Sequence, residues 1–542
     1  MTGFIDNLII LPILLPMATG ALLLMFDDRL RNARALVSLA STVMLLVGSV
    51  LLVMQANAQP TGALAVYELG NWPAPFGIVL VADRLSAMMV LVTAILGISA
   101  LVYSLARWHS AGSSFHSLFQ FLLMGVNGAF LTGDVFNLFV FFEVMLAASY
   151  GLALHGQGAA RVKASLHYIA VNLAASFLFL IGAALIYGVT GTLNMADLAS
   201  KVANIAEMDR GLLETGAAIL GVAFLIKAGM WPLGFWLPTS YAAAAAPVAA
   251  VFAIMTKVGV YAVLRISTLA FGAEAGVSAG FGNTVLLVGG LATLAFGTIG
   301  VLAAQTTSRL AGYSVLVSSG TLLATMGMGN AGATSGALFY LVVSTLAISA
   351  FFMLVELLDR VRIEGADVLA VTMEAYGDDE EGDEEDEIGV AIPATLAVLS
   401  ISFGLCILLI AGLPPLAGFV AKVAIISAIF NPDGLTQTAP IPPSAWWLTA
   451  LLIFSGFAAL VALTRTWINT FWATMSERPA PVRVIEIAPV LLLLCLTVAT
   501  TILAGPALSY TQAIADQLYT PAPVIEEVLE PPAPGQLVEV VP

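Results

Sequence analysis

Residues 224–265 read FLIKAGMWPLGFWLPTSYAAAAAPVAAVFAIMTKVGVYAVLR. They lie inside an apolar run, 214–270, far longer than the roughly 20 residues a helix needs to cross the hydrocarbon core of a bilayer. Pro232 offers no backbone donor and blocks helix continuation, so WPLGFW at 231–236 interrupts the run. The remainder is long enough for a second span. Two lysines, Lys227 and Lys257, stay within apolar sequence. An all-α membrane protein with a helix broken at membrane depth is the reading.

The composition agrees. Of 542 residues, 60% are hydrophobic and 10% charged, against about 25% charged in a soluble domain. That excludes an ordinary soluble enzyme, a nucleic-acid binder and a disordered chain. The net charge of −15 is largely local, because residues 378–387 read DDEEGDEEDE, nine acids in ten positions. Such a run reads as a solvated tether. The start, MTGFIDNLIILPILLPMATGALLLMF, lacks the basic region of a cleavable signal, so the first span is expected to stay as an anchor. Cys406 and Cys495 both sit in apolar runs and are expected to be buried filler.

Other apolar runs fall near 8–26, 35–55, 84–106, 115–132, 135–154 and 165–189, then near 281–303, 310–328, 335–357, 446–464 and 487–505. A further run, 393–431, is nearly twice the usual length and has GLPPL at its centre. Cytoplasmic loops carry the excess of Lys and Arg. Arg29, Arg31 and Arg34, then Arg107, Arg161, Lys163, Arg309, Arg360 and Arg362, alternate correctly if 214–270 is two spans. Arg465, Arg478 and Arg483 join them only if 393–431 is one broken span. The expectation is about fourteen transmembrane helices with both termini outside the cytoplasm.

The two interruptions correspond. PPLAGF at 414–419, with Pro414 and Pro415, resembles WPLGFW. Freed backbone groups at membrane depth are tolerated only when buried in protein or lining a wet cavity, and a matched pair of broken helices points to an ion site in a repeat-built transporter. Two independent packing kinks are the plainer alternative. The expected organisation is N-terminal helices 1–106, a first repeat 107–270, a second repeat 281–464 with a cytoplasmic acidic loop 364–392, and a last helix with an acidic, Pro-rich tail over 465–542.

Charged side chains inside a span are costly and mark functional candidates. Four are singled out here: Glu143 in VFNLFVFFEVMLAASYG, Lys227 before the first break, Lys257 in the following span, and Lys422 just past the second break. Burial favours the neutral form of an amine and a nearby carboxylate favours the charged form. A lysine held between those pulls can take up and release a proton. Static alternatives stand beside this: Glu143 neutralising Lys227, Lys257 snorkelling, Lys422 capping freed carbonyls. His167 and Asn172 are expected to share an inward face, and Tyr261, Ser318, Ser319 and Ser344 are candidates to hold water wires. Asp134 and Asn137 sit at the mouth of the Glu143 span, Asp134 as an N-terminal helix charge or an ion-access group. No Cys/His cluster or phosphate loop is present in the sequence, and the expectation is no cofactor and no metal.

The segments GVNGAFLTGDVFNLFVFFEVMLAASYGL, 224–265, RLAGYSVLVSSGTLLATMG and GLPPLAGFVAKV together resemble the proton-conducting antiporter-like subunits of Mrp-type cation/proton antiporters and respiratory complex I. The wording NGAFLTGDVFNLFVFFE and RLAGYSVLVSSGTLL most resembles the D-type subunits of the Mrp group. The resemblance implies an inner-membrane protein of fourteen helices with two inverted five-helix repeats, each containing one broken helix. It implies the Glu143–Lys227 pair, Lys257 and Lys422 as the proton path; His167, Pro232, Ser344, Pro414 and Pro415 are the supporting polar and break residues read from the sequence itself. It implies a hetero-oligomer with the A, B, C, E, F and G subunits of an Mrp antiporter in membrane lipid, exchanging Na⁺ or K⁺ for H⁺. A proton-pumping subunit of a complex I-like or hydrogenase-like machine is the second reading. Relatives commonly have histidine where this chain has Val343, and complex I relatives often have lysine where it has Ser308. The link from Lys257 to Lys422 is therefore expected to use water and hydroxyls, or residues the motifs do not identify.

Overall fold

A computed structural model describes residues 7–27, 29–58, 65–112, 114–156, 158–361, 394–431, 441–471 and 482–529. The acidic loop 364–392 and the end of the tail lie outside the described residues. The helices are α1 (Leu11–Leu24), α2 (Arg31–Asn57), α3 (Arg84–Leu105), α4 (Phe115–Leu131), α5 (Val135–Ala153), α6 (Ala159–Thr190) and α7 (Met195–Val202). They continue as α8 (Glu207–Ala228), α9 (Leu237–Ala243), α10 (Ala246–Leu269), α11 (Asn283–Ala303), α12 (Thr307–Met326) and α13 (Ala331–Val361). The rest are α14 (Ala394–Ala411), α15 (Ala417–Phe430), α16 (Pro443–Phe471), α17 (Val484–Ile502), α18 (Ala504–Tyr519) and α19 (Ala522–Leu529). Among the described residues, eleven helices are long and apolar enough to cross a membrane, and three shorter apolar ones accompany them.

Helix α10 forms the axis of the bundle: the whole of its apolar window is buried, packed by α3, α8 and α13. Around it the apolar sequence leaves no polar face to orient, so small residues decide which helices approach closely. Gly125 brings α4 onto the backbone of Met145 in α5, and Gly320 brings α12 onto Leu294 in α11; a β-carbon at either site would meet backbone nitrogen within 2.6 Å.

Each interrupted run lies along a single long helix. Helix α6 has 32 residues and α13 has 31, each roughly 47 Å at 1.5 Å per residue. Gly182 of α6 abuts Leu220 of α8, while near its other end the Ala164 carbonyl accepts from Ser240 of α9 at 3.2 Å. On α13, Gly336 abuts Ile425 of α15, and Phe351 packs on Phe403 of α14 with ring centroids 5.6 Å apart. In each case the two half-helices run in line, antiparallel to the backing helix. That is the geometry expected of one broken segment.

Three features depart from the sequence reading. A short antiparallel hairpin, β1 (Ala65–Glu68) with β2 (Val79–Ala82), joins α2 to α3, in register from Ala65↔Ala82 to Glu68↔Val79. It is too short to leave a strand signal beside twenty-residue apolar runs. Beyond the last expected span, α18 buries Thr511, Ile514, Ala515 and Leu518 and ties to α13 through Ser335–Thr511 and Thr334–Tyr519 hydroxyl contacts of 3.1 Å. The tail then starts with α19, whose Val524 and Val528 pack on Ala196 and Val79. Finally, Cys406 is buried but Cys495 is exposed, because α17 lies at the rim with a third of its apolar window buried.

Candidate functional site

The two breaks are built alike. Helix α8 stops at Gly229 (φ +76°) and α14 just before Gly412 (φ +72°), left-handed positions that glycine adopts without steric cost. Each is followed three residues later by proline, Pro232 and Pro415, with Pro414 beside the latter. The chain turns back on its own helix: Met230 N donates to Leu225 O at 3.0 Å and Leu413 N to Leu408 O at 2.9 Å, ends of the Schellman kind. The freed amides past each stop find threonines on other helices. Trp231 N donates to Thr293 Oγ1 of α11, and Ala417 N to Thr501 Oγ1 of α17, each at 2.8 Å. No sequence pattern marks Thr293 or Thr501 for this task.

The three lysines are all buried at these breaks or between them. Lys422 Nζ, on α15, donates to the Ala411 carbonyl at 2.8 Å, one of the acceptors freed by the second break. Gly412 and Gly456 of α16 wall the ammonium, since a β-carbon on either would lie 3.0 Å from Nζ. The capping alternative is thus what this conformation shows for Lys422. Lys257 is 1% exposed. Its Nζ donates to Ser318 Oγ of α12 at 2.7 Å, and Ser318 contacts Ser344 Oγ of α13 at 2.9 Å. The snorkelling alternative fails, because the amine points across the bundle. Ser319, its neighbour, makes no hydrogen bond to protein.

Beyond Ser344 lies a cavity of about 20 Å³ lined by Ser314, Tyr340, Val343, Ser344, Ile410, Gly418 and Ala459, among others. A space of roughly 10–15 Å³ suffices for one water when polar partners are present. Gly418 is one turn before Lys422 on α15, and Ala459 one turn after Gly456 on α16. The hydroxyl chain from Lys257 therefore ends at a water-sized cell adjoining the Lys422 cradle. Val343 is part of its wall.

Lys227 and Glu143 do not form an ion pair. Lys227 Nζ makes no hydrogen bond to protein and sits 5.0 Å from the ring centroid of Phe142. Glu143 is partly buried and accepts instead from the Ser176 hydroxyl of α6. The static neutralising pair expected as an alternative is absent here, and Ser176 is a partner that no motif identifies. His167 is a correction: it is exposed and its Nδ1 contacts the Lys163 carbonyl, whereas Asn172 is buried on Tyr168 O. Five residues turn a helix by about 140° beyond one full turn, so the two cannot share a face. Asp134 accepts from Asn137 N at 2.8 Å and caps α5, as its N-terminal placement suggests.

Two further charged clusters lie beyond the four candidate residues. Arg265 of α10 pairs with buried Asp83 at 2.5 Å and donates to Tyr261 Oη at 3.0 Å, which itself donates to Phe130 O. The spacing 257, 261, 265 places Lys257, Tyr261 and Arg265 on one face of α10, a signal that the sequence carries. At the end of the bundle that bears Arg107, Glu356 accepts from Trp108 Nε1 at 2.9 Å, and Arg360 bridges Glu356 (3.5 Å) and Glu486 (2.8 Å). Glu356 sits at the edge of its apolar run, where a charge reads simply as the end of a span. Among the described residues no group of His, Cys, Asp and Glu is arranged to hold a metal.

Residues 132–439, which contain both breaks, all three lysines and Glu143, match the family described as NADH:quinone oxidoreductase/Mrp antiporter, transmembrane. The chain belongs to this family. It is 58% identical over 538 residues to the D subunit of a probable K⁺/H⁺ antiporter of Rhizobium meliloti, covering 99% of this chain and 100% of the relative. It is 36% identical over 531 residues to the D subunit of a Na⁺/H⁺ antiporter of Alkalihalophilus pseudofirmus, covering 97% and 100%. The fold superposes on a chain of the Mrp complex from Dietzia sp. with TM-score 0.80 at 25% identity, covering 98% and 100%. The resemblance drawn from the motifs is therefore correct, and so is the all-α membrane class.

Proposed function

We propose that this chain is the D-type subunit of a multisubunit antiporter that exchanges Na⁺ or K⁺ for protons, and that it carries the protons. In this reading Glu143, Lys227, Lys257 and Lys422 form the path, joined between the last two by Ser318, Ser344 and the water-sized cell. The supporting observation is the single file of buried amines: three lysines, each in a different helix, with a hydroxyl chain leading from the second toward the third. A scaffold has no need of uncompensated charge at membrane depth, which is costly wherever it occurs.

The chemistry asked of these residues is modest. An ammonium passes a proton along hydroxyls and one water to the next amine, which is neutral before the transfer and charged after it, and the donor regains its charge by taking a proton from the group before it. The breaks supply what straight helices lack, a free carbonyl such as Ala411 O beside Lys422 and a place for water. Fourteen spans follow if each broken pair counts once, with both termini outside the cytoplasm of a bacterial inner membrane and the A, B, C, E, F and G subunits as partners. Whole-length similarity to relatives named as D subunits of antiporters favours this over a complex I-like pump.

The test is antiport in everted vesicles containing the complete complex, with Na⁺ and K⁺ supplied separately. Lys227→Ala is expected to abolish exchange with either cation while the complex still assembles. Full activity in that variant overturns the relay.

A further inference from the structure

Lys227 and Glu143 lie against different neighbours, the ammonium against an aromatic ring with no hydrogen bond to protein and the carboxylate against a hydroxyl. Phe142 and Glu143 are consecutive on α5, so their side chains leave the helix about 100° apart. Phe142 is fully buried and fixed from two sides, edge-on to Phe179 at 5.9 Å and tilted against Phe224 at 6.1 Å. Phe224 is one turn before Lys227 on α8, so the same cluster that fixes the Phe142 ring also sets the root of the lysine. The ammonium lies 5.0 Å from the Phe142 ring centroid, within the 6 Å over which the negative face of an aromatic ring attracts a cation. On the other side of Glu143, the Ser176 hydroxyl of α6 has one proton to give and two acceptors in reach, Glu143 Oε1 and, at 3.1 Å, the Asn172 carbonyl of its own helix.

We propose that Phe142 and Ser176 are positioning residues that hold Lys227 and Glu143 apart, one seat for the cation and one for the carboxylate. This rests on the relay proposed above and adds what governs its first step. A lysine paired with Glu143 keeps its proton, because the adjacent anion stabilises the charge. A lysine drawn off to the aromatic seat is the one able to pass a proton onward. The ring and the hydroxyl therefore set the ratio between a holding and a donating arrangement. The seats act together, since pairing requires the ammonium to leave Phe142 and Ser176 to yield or share the carboxylate. Ordinary packing by Phe142 would be insensitive to the electronics of its ring.

That difference is the test. In the complete complex, position 142 is loaded with mono-, di- and trifluorinated phenylalanine, which preserve the shape of the ring and progressively weaken its negative face. Antiport in everted vesicles is followed as a function of pH. The full loss of a desolvated cation–π contact is expected to change the ratio about 30-fold, equivalent to ~2 kcal/mol. A rate that falls stepwise with each fluorine, at a constant amount of assembled complex, supports the inference; a flat series overturns it. Ser176→Ala, which like fluorination favours the paired arrangement that holds the proton, is expected to displace the pH profile toward higher pH, and Ser176→Thr, which keeps the hydroxyl, to restore it. Equal effects of the alanine and threonine variants overturn the second seat. Lys227→Ala separates the two levels. If it leaves antiport intact the relay itself fails, and if it abolishes antiport while the fluorine series is flat only the present inference fails.

Discussion

Gly412→Ala tests the second break where the structure is most exacting. Gly412 has φ +72°, a region that costs a residue bearing a β-carbon about 1–2 kcal/mol. The new methyl would also lie 2.8 Å from Cδ and Cε of Lys422 and 3.0 Å from its Nζ. The amine then has to leave the Ala411 carbonyl, giving up a hydrogen bond to a charged group worth about 1.5–3 kcal/mol. The least of these together is about 2.5 kcal/mol, roughly a 60-fold loss in the population of the native cradle. Gly456→Ala approaches the same amine from another helix. It carries no backbone penalty, but its β-carbon would be 2.5 Å from Ala411 O and 3.0 Å from Nζ. Gly404→Ala, in α14 with open space around it, is the control. Everted vesicles of the assembled complex are challenged with Na⁺ or K⁺, and collapse of the proton gradient is read from a pH-sensitive dye. The expected result is more than tenfold slower exchange for Gly412→Ala and Gly456→Ala and no slowing for Gly404→Ala. Normal exchange in both cradle variants refutes the role given to the Lys422 seat.

Asp83→Asn or Arg265→Gln leaves one member of a buried ion pair unpartnered and is expected to cost about 3–5 kcal/mol, read as a lower melting temperature of the purified complex. Lys257→Ala, by contrast, is expected to leave that temperature near wild type while removing exchange. Thr293→Val and Thr501→Val strip the acceptors from Trp231 N and Ala417 N; each is expected to destabilise by about 1–3 kcal/mol, and Thr→Ser at either site by much less. His109 and His155 lie in turns outside the apolar helices. Burial, reinforced by Arg31 for His109, and for His155 burial and Arg161 against the hydrogen bond to the Trp108 carbonyl, hold both imidazoles below their ordinary range. The unfolded chain therefore takes up protons first as pH falls through about 6.5, so stability should decline below that pH. His155→Gln should flatten the decline in a series of melting curves from pH 7.5 to 5.5.

Most of the architecture is legible before any coordinates, because a bilayer leaves a sequence few options. Apolar length locates the helices, and Pro232 and Pro415, each three residues past a glycine, mark both breaks. Counting Arg and Lys by side favours one broken segment over 393–431, and the in-line packing of α14 and α15 on α13 agrees. What stays hidden depends on contacts distant in sequence. Ser176, Thr293 and Thr501 are ordinary hydroxyls until the fold sets them beside Glu143, Trp231 N and Ala417 N. His167 misleads because polarity within an apolar run says nothing about which way a side chain faces; only the angular spacing to Asn172 does. Arg265 is legible through its i, i+8 spacing from Lys257, and Asp83 is not, since its partner is 182 positions away.

The central claim is that protons cross through the buried amines, and Lys257 is the one through which every proposed route must pass. The direct measurement is proton movement in liposomes reconstituted with the complete complex, driven by an imposed Na⁺ or K⁺ gradient, for wild type and for Lys257→Met, which keeps the apolar stem and removes the amine. The account predicts cation-driven proton flux in the wild type and none above background in Lys257→Met. Undiminished flux through an assembled Lys257→Met complex would contradict it.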